Sequence, residues 1–233
     1  MSIKAEIIIE GTYLYFEKEV NHSQENFKLV HLPGDETYHI YSEIVSRLEN
    51  GEFLKIMVRY EMTNNFYPHL VRIEKSLGSR YSSELYSIDL KNQELKYTFQ
   101  NSQITQDFKK SFNTKHYLTS PAFATSTIFS LTKKLDATGR TALSFLSSNN
   151  DWSYEKPPQE KVVYVELKGR ETEEIKINNA SLLASHYFIH EAENNSSNSS
   201  PPVEIYVSKF YGLPYQMIHG DQKIVVKNMK KNN

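Results

Sequence analysis

The chain has 233 residues, and its 27 Lys plus Arg against 28 Asp plus Glu give a formal net charge of -1 at pH 7. Without a broad basic field there is little to attract a phosphate backbone, so we expect no nucleic-acid partner. The chain contains no cysteine, which excludes disulfides, thiolate nucleophiles and Cys-ligated metal centres. Its 16 Tyr and 12 Phe favour strands, because bulky aromatic side chains pack well on pleated surfaces.

The N-terminal sequence is not typical of a secretory leader. The apolar run Ile7 to Ile9 is short and is preceded by Glu6. No stretch approaches the roughly 20 apolar residues that a membrane span needs. We therefore expect a cytoplasmic protein with no integral membrane association, and a homodimer is left open.

Alternation with a period of two residues dominates the first hundred residues. In the clearest strand Leu54, Ile56, Val58, Tyr60 and Met62 face one way, and the residues between them are mostly polar. Turn-forming residues separate this strand from similar runs at Tyr38–Arg47, His69–Lys75, Tyr81–Leu90 and Leu95–Phe99. The spacing predicts a meander of antiparallel strands.

The pattern changes at Ser120 and Pro121, which suit the N-cap and the first position of a helix. The side chains of Phe123, Thr127, Ile128, Leu131 and Leu135 then fall on one face at helical spacing, which predicts that this face is buried. We predict a helix from about Pro121 to Leu135.

Strands resume after the helix. They are predicted at Arg140–Ser147, Lys161–Lys168, Glu174–Asn178, Leu182–His190, Val203–Lys209, Tyr215–His219 and Lys223–Asn228. Residues 194–202, rich in Ser, Asn and Pro, are expected to form a mobile surface loop, and residues 230–233 are expected to fray. Strands lie on both sides of the loop, so the whole chain, 1–233, is expected to be one domain.

These elements predict a mainly β fold in which a large curved antiparallel sheet forms a half-barrel around the helix at about 121–135. A wrapped sheet of this size can enclose a cavity for an apolar ligand between the sheet and the helix. The alternative is that side chains fill this space.

No catalytic motif identifies a reaction. The chain has no Gly-x-Ser-x-Gly elbow, no dinucleotide-binding glycine motif and no Walker sequence, and we expect no cofactor. His186 and His190 are four residues apart, which on a strand is about 13 Å and too far for one metal ion. We predict no metal site.

Tyrosines are the best candidates to line a ligand cavity, because each pairs an apolar body with a polar tip. The candidates are Tyr13, Tyr60, Tyr86, Tyr187 and Tyr206. Arg72 is added because an arginine on the concave side could bind a carboxylate or phosphate group with two parallel hydrogen bonds. Arg59 is a second candidate for this role, but its register in the strand favours the solvated face.

The C-terminal part resembles the closing strands of the LolA-like fold. The resemblance rests on the strand Val203–Ser208, then Gly212-Leu213-Pro214, then the strand Lys223–Val226, together with the mid-chain helix. LolA-like and related glycolipid-binding half-barrels imply a lipid or acyl chain in the concavity. VioE of the violacein pathway, with a similar fold, implies instead a cofactor-independent enzyme that steers a pigment precursor.

The leading hypothesis is a protein that binds a hydrophobic, lipid-like or aromatic small molecule in the concavity of the curved sheet. The alternative is a cofactor-independent enzyme of specialised metabolism on the same fold, which predicts convergent polar groups in the pocket. A pure interaction module would instead have no pocket and an exposed apolar patch or sheet edge.

Overall fold

The computed structural model describes residues 5–112, 116–132, 139–169, 171–177, 180–191 and 201–232. Strands make up most of this part of the chain. In the first half they are β1 (Glu6–Glu17), β2 (Val20–Leu32), β3 (Thr37–Arg47), β4 (Phe53–Met62), β5 (Pro68–Leu77), β6 (Arg80–Asp89), β7 (Glu94–Asn101), β8 (Thr105–Ser111) and β9 (His116–Leu118). In the second half they are β10 (Arg140–Ser147), β11 (Gln159–Leu167), β12 (Glu173–Ile177), β13 (Ala180–Glu191), β14 (Val203–Ser208), β15 (Pro214–His219) and β16 (Gln222–Lys231).

The described residues form one 16-stranded sheet in the order β8-β7-β6-β5-β4-β3-β2-β1-β16-β15-β14-β13-β11-β10-β9, with β12 paired to β13 off this path. Nearly all neighbours are antiparallel, and β9 pairs with β10 in parallel. The sheet curves without closing, since β8 and β9 are its two ends. The predicted fold class, mainly β with a large curved antiparallel sheet around a helical segment, is confirmed.

One face of the sheet, called here the inner face, packs on residues 116–132. Tyr13 meets Phe123 edge to face with ring centroids 4.9 Å apart. The hydroxyl of Tyr60 donates to the backbone oxygen of Leu118 at 3.2 Å. The opposite face of the sheet is called the outer face.

A buried carboxylate ties the segment 116–132 to the sheet. Glu25 of β2 is fully buried and accepts hydrogen bonds from the backbone N–H groups of Phe123 at 2.8 Å and Ala124 at 3.2 Å. Tyr15 and Ser42 donate to the same carboxylate at 2.5 Å and 2.7 Å. Glu25 therefore satisfies backbone donors at the start of a helical turn, as a capping side chain would.

Within residues 121–132 the predicted helix is not continuous. It consists of a 3-10 helix, Phe123–Thr125, and an α-helix, α1 (Phe129–Thr132), and residues 133–138 lie outside the described residues. Hydroxyl side chains interrupt it: Ser126 bonds to the oxygen of Phe123, and Thr127 bonds across to the oxygen of Gly212 at 2.5 Å. Such bonds compete with the helical ladder. Of the predicted buried face, Phe123, Thr127 and Ile128 are buried, Leu131 is half-buried, and Leu135 lies outside the described residues.

The chain ends differ in part from expectation. Lys230 and Lys231, expected to fray, pair with Glu10 and Ile9 of β1. Most of the expected mobile loop, residues 194–200, lies outside the described residues. None of the helices in the described part of the chain has the length and apolar character that a membrane crossing requires.

Candidate functional site

An open pocket of about 360 Å³ lies on the inner face, between β4 to β6 and the two connections that follow β9 and β10. Such a volume is in the range of small-molecule sites. We call it the inner-face pocket. Its walls are formed by Leu54, Ile56, Ile73, Lys75, Glu84, Tyr86, Thr119, Ser120, Pro121, Ser148, Asp151 and Trp152.

Lys75 is the cation of the pocket. It lies on the inner face of β5, where the alternation that buries Val71 and Ile73 also turns Lys75 inward. Its ammonium donates to the backbone oxygen of Asn150 at 3.0 Å and to Asp151 Oδ1 at 2.7 Å. Only 14% of its side chain is exposed, so these bonds replace most of its hydration.

Glu84 of β6 faces Lys75 and carries a buried negative charge. Its Oε1 lies 3.7 Å from Lys75 Nζ, and its side chain is 5% exposed. Its Oε2 accepts from the hydroxyl of Tyr97 at 2.8 Å and, less favourably, from that of Tyr86 at 3.4 Å. The carboxylate therefore joins the ammonium to two phenols.

The network continues into the connection between β10 and β11. Asn150, almost fully buried, donates to the Tyr97 hydroxyl at 2.8 Å and to the oxygen of Lys156 at 2.9 Å. Its own side-chain oxygen accepts from the backbone N–H of Glu155 at 2.8 Å. Asn150 thus fixes the shape of this connection against the sheet.

Trp152 forms one rim of the pocket and is the only tryptophan of the chain. The guanidinium of Arg80 lies over its ring, 4.6 Å from the centroid. Its backbone oxygen accepts from Asn101 at 2.9 Å. These contacts hold a flat aromatic surface beside the apolar wall formed by Leu54, Ile56 and Ile73.

The pocket combines this apolar wall with charged groups of both signs. Burial raises the pKa of Tyr86 and of Tyr97, and the neighbouring Glu84 carboxylate raises the pKa of both further. Both phenols therefore remain neutral hydrogen-bond donors at ordinary pH. Two carboxylates against one ammonium give the pocket a net negative charge, which favours ligand groups that donate hydrogen bonds.

Four of the predicted tyrosines lie on the inner face, but only Tyr86 lines the pocket. Tyr13 is fully buried and donates to the oxygen of Pro214 at 2.8 Å, and Tyr60 is equally buried against Leu118. Tyr187 packs edge to face on Phe129. At these three positions protein side chains fill the space on the inner face. This agrees with the alternative prediction, in which side chains rather than a ligand occupy the concavity.

Arg72 and Tyr206 lie on the outer face, which corrects their placement in the concavity. Arg72 is directly opposite Arg59 across the β4–β5 pair, out of phase with the inward Val71 and Ile73. Tyr206 follows the inward Ile205 and stacks on His186 with centroids 4.2 Å apart. Strand alternation therefore excludes both side chains from the inner face.

The sequence predictions missed Lys75, Glu84, Tyr97, Asn150 and Trp152. A signal for two of them was present: Lys75 continues the buried series Val71 and Ile73, and Glu84 precedes Tyr86 in phase. A charged residue in phase with a buried face requires a partner. No comparable local signal marks Asn150, whose partners are brought to it by the fold.

Among the residues that the structure describes, no three His, Asp or Glu side chains are arranged to hold a metal ion.

Comparisons with known proteins bear on the fold. No protein-family model matches the chain, and a search of curated proteins finds no match. The structure is similar to a crystal structure of a β-barrel-like protein of the domain of unknown function DUF1849 from Brucella abortus, with a TM-score of 0.63, 7% identity and coverage of 97% of this chain and 98% of that one. It is also similar to a DUF1089 family protein from Pseudomonas aeruginosa, with a TM-score of 0.50, 12% identity and coverage of 83% and 87%. At these identities the likeness concerns the fold alone.

Proposed function

We propose that the protein binds a hydrophobic or aromatic small molecule in the inner-face pocket. The observation that carries this proposal is the combination, in one open pocket, of an apolar wall, the flat ring of Trp152 and the buried Lys75–Glu84 pair. Binding sites for small molecules typically have such mixed walls, with few polar groups that orient the ligand. The LolA-like resemblance implies a lipid or acyl chain in the concavity, which agrees with the proposal only in that the ligand is hydrophobic.

The charges narrow the ligand class. The Lys75 ammonium is already bonded to Asn150 and Asp151, whereas Glu84 and Asp151 offer acceptor oxygens. A ligand with an aromatic or aliphatic body and an amine, amide or hydroxyl donor fits this arrangement better than a fatty acid, whose carboxylate would face two others.

A second candidate function is catalysis on the bound molecule. It is favoured by the convergence of Glu84, Tyr86 and Lys75 on one pocket, as the enzyme alternative predicts. A carboxylate linked to a neutral phenol can transfer a proton without a cofactor. In that case the variant Glu84→Gln retains ligand binding and loses turnover, whereas loss of both would leave only a structural role for Glu84.

The test of binding is native mass spectrometry of the protein purified without detergent, compared with its denatured mass. We expect a bound small molecule in the wild type and its loss in Ile56→Phe, because the larger side chain would project from the wall into the pocket. The matched control is Val45→Phe, which places the same phenyl ring on the outer face of β3 and should retain the molecule. A bare mass for the wild type, or equal retention by both variants, would contradict the proposal.

A further inference from the structure

The outer face carries a row of basic residues that the inner-face pocket does not use. Cross-strand pairing places Lys28 opposite Tyr41, Tyr41 opposite Arg59, and Arg59 opposite Arg72. These four residues, called here the arginine row, cross strands β2 to β5 in a single line. They belong to a shallow depression of about 500 Å³ that is also lined by Met57 and by two carboxylates, Glu43 and Glu74.

The direct opposition of two arginines requires compensation, because like charges on facing strand positions destabilise a sheet. The charge of Arg59 is balanced by Glu61, because Arg59 Nε lies 2.6 Å from Glu61 Oε1. Half of the Arg59 side chain remains exposed to solvent. In the described part of the chain, neither Arg72 nor Lys28 forms an ion pair. Among the described residues, the guanidinium of Arg72 therefore has no carboxylate within ion-pair distance, although Glu74 lines the same depression.

The nearest carboxylates on this face have other partners. Glu43 pairs with Lys55 at 3.2 Å, and Glu74 accepts from the hydroxyl of Tyr81 at 3.1 Å. Adjacent strands are about 4.8 Å apart, so an anion between Arg59 and Arg72 can reach both guanidinium groups. Guanidinium groups bind phosphate oxygens through paired hydrogen bonds.

An apolar surface lies beside these charges. Tyr41 is 39% exposed, with the Arg59 guanidinium 5.8 Å from its ring centroid, and Met57 is 38% exposed. An anion with an organic substituent could therefore place its charge on the arginines and its body on these two side chains.

We propose that the arginine row binds a phosphate monoester, with the phosphate between Arg59 and Arg72 and the organic group against Tyr41. The same chemistry is offered by a soluble phosphate ester and by the monoester headgroup of phosphatidic acid. This site is independent of the inner-face pocket, since the two lie on opposite faces of the sheet.

The test is isothermal titration calorimetry with phenyl phosphate and with inorganic phosphate, at an ionic strength held constant with sodium chloride. We expect phenyl phosphate to bind more tightly than inorganic phosphate, and Arg72→Gln to weaken its binding by about tenfold or more, since hydrogen bonds to charged groups contribute at least that factor. The matched control is Arg47→Gln, which removes the same charge from an exposed position outside the depression. We expect it to change the affinity by less than about twofold, because exposed charges at a distance are screened by salt.

Sedimentation with phosphatidic acid vesicles, against phosphatidylcholine vesicles, distinguishes the two sources of the ligand. Binding to phosphatidic acid that requires Arg72 assigns the site to a lipid headgroup, and binding of phenyl phosphate alone assigns it to a soluble ester. Absence of phenyl phosphate binding, or equal losses in Arg72→Gln and Arg47→Gln, would overturn the proposal. In native mass spectrometry, Arg72→Gln should still retain the molecule that co-purifies with the wild type. Failure of phosphate binding could then be distinguished from failure of ligand binding in the inner-face pocket.

Discussion

Lys75 Nζ lies 2.7 Å from Asp151 Oδ1, although the two residues are 76 positions apart in the chain. Lys75 belongs to β5, and Asp151 lies beside Trp152 in the connection after β10. The same ammonium also faces the buried Glu84. One lysine therefore holds both the sheet wall and the opposite rim of the inner-face pocket.

Replacing Lys75 should destabilise the protein and expose Trp152. Lys75→Met leaves Glu84 buried without a cation, and removing one partner of a buried pair costs about 3 to 5 kcal/mol. Because Asp151 is 74% exposed and can be rehydrated, we expect a value near the lower end, about 3 kcal/mol. Urea unfolding measures this loss in the free energy of unfolding. A red shift of the Trp152 fluorescence emission would show that the rim of the inner-face pocket has moved and that Trp152 is more exposed to water.

The control is Lys55→Met, which breaks the exposed pair with Glu43 on the outer face. We expect a change within about 0.5 kcal/mol, as for most surface substitutions. Similar losses of stability in both variants would contradict the structural role of Lys75.

The two phenols that contact Glu84 should differ in their contribution to stability. Tyr97 donates at 2.8 Å and also accepts from Asn150, whereas the Tyr86 hydroxyl is 3.4 Å from the carboxylate. Tyr97→Phe should therefore cost about 2 kcal/mol, because it leaves two buried polar groups short of a partner. Tyr86→Phe keeps the same ring and should cost less than about 1 kcal/mol. Equal values from urea unfolding would show that Tyr97 does not connect the network.

Glu25 should make stability depend on pH in a specific direction. Burial raises the pKa of this carboxyl, and hydrogen bonds from Tyr15, Ser42 and the backbone oppose the shift only in part. A raised pKa means that the folded state binds the proton more tightly than the unfolded state, and this difference stabilises the fold. The stabilisation is fully present below the ordinary pKa of Glu and is lost as the pH rises through the pKa of the folded state.

The reference for this prediction is Glu25→Gln, which cannot titrate. The stability of the wild type relative to this variant should be greater near pH 4 than at pH 7, because the ordinary pKa of Glu is about 4.3. Urea unfolding at both pH values measures the difference. A difference that grows with pH would mean that the hydrogen bonds outweigh burial.

Gly212 should tolerate a side chain less well than Gly220. Both have a positive φ, of 59° and 58° respectively, so both share the strain of an L residue in that region. A Cβ at Gly212 would lie 2.7 Å from Leu131 and 2.8 Å from Ser130, whereas a Cβ at Gly220 would have no atom of the described residues within 4 Å.

Gly220→Ala should therefore cost about 1 kcal/mol from the backbone alone. Gly212→Ala should cost about 1 to 3 kcal/mol more, because either the side chains of Ser130 and Leu131 or the β14–β15 turn must shift. Thermal unfolding of the two variants compares them directly. Equal shifts in the melting temperature would mean that the turn and α1 are not in contact.

The sequence predicts strands where apolar inward residues alternate clearly with polar ones, and it predicts no strand over β1 or β2. β4 was recognised because Val58, Tyr60 and Met62 alternate with exposed residues. β2 was not, because its inward residues include Ser23 and Glu25, which hide the alternation. The same property concealed the pocket, since its defining groups Lys75 and Glu84 occupy inward positions and acquire partners only through pairing distant in the chain.

The most direct test of ligand binding in the inner-face pocket is energy transfer from Trp152 to N-phenyl-1-naphthylamine, a neutral aromatic probe with one N–H donor. Trp152 lies on the rim and is the only tryptophan, so its selective excitation reports a probe bound near it, and the two variants distinguish this pocket from other sites. We expect saturable transfer in the wild type and in Val45→Phe, and its loss in Ile56→Phe. Absence of saturable transfer in the wild type, or equal transfer in all three proteins, would contradict ligand binding at this site.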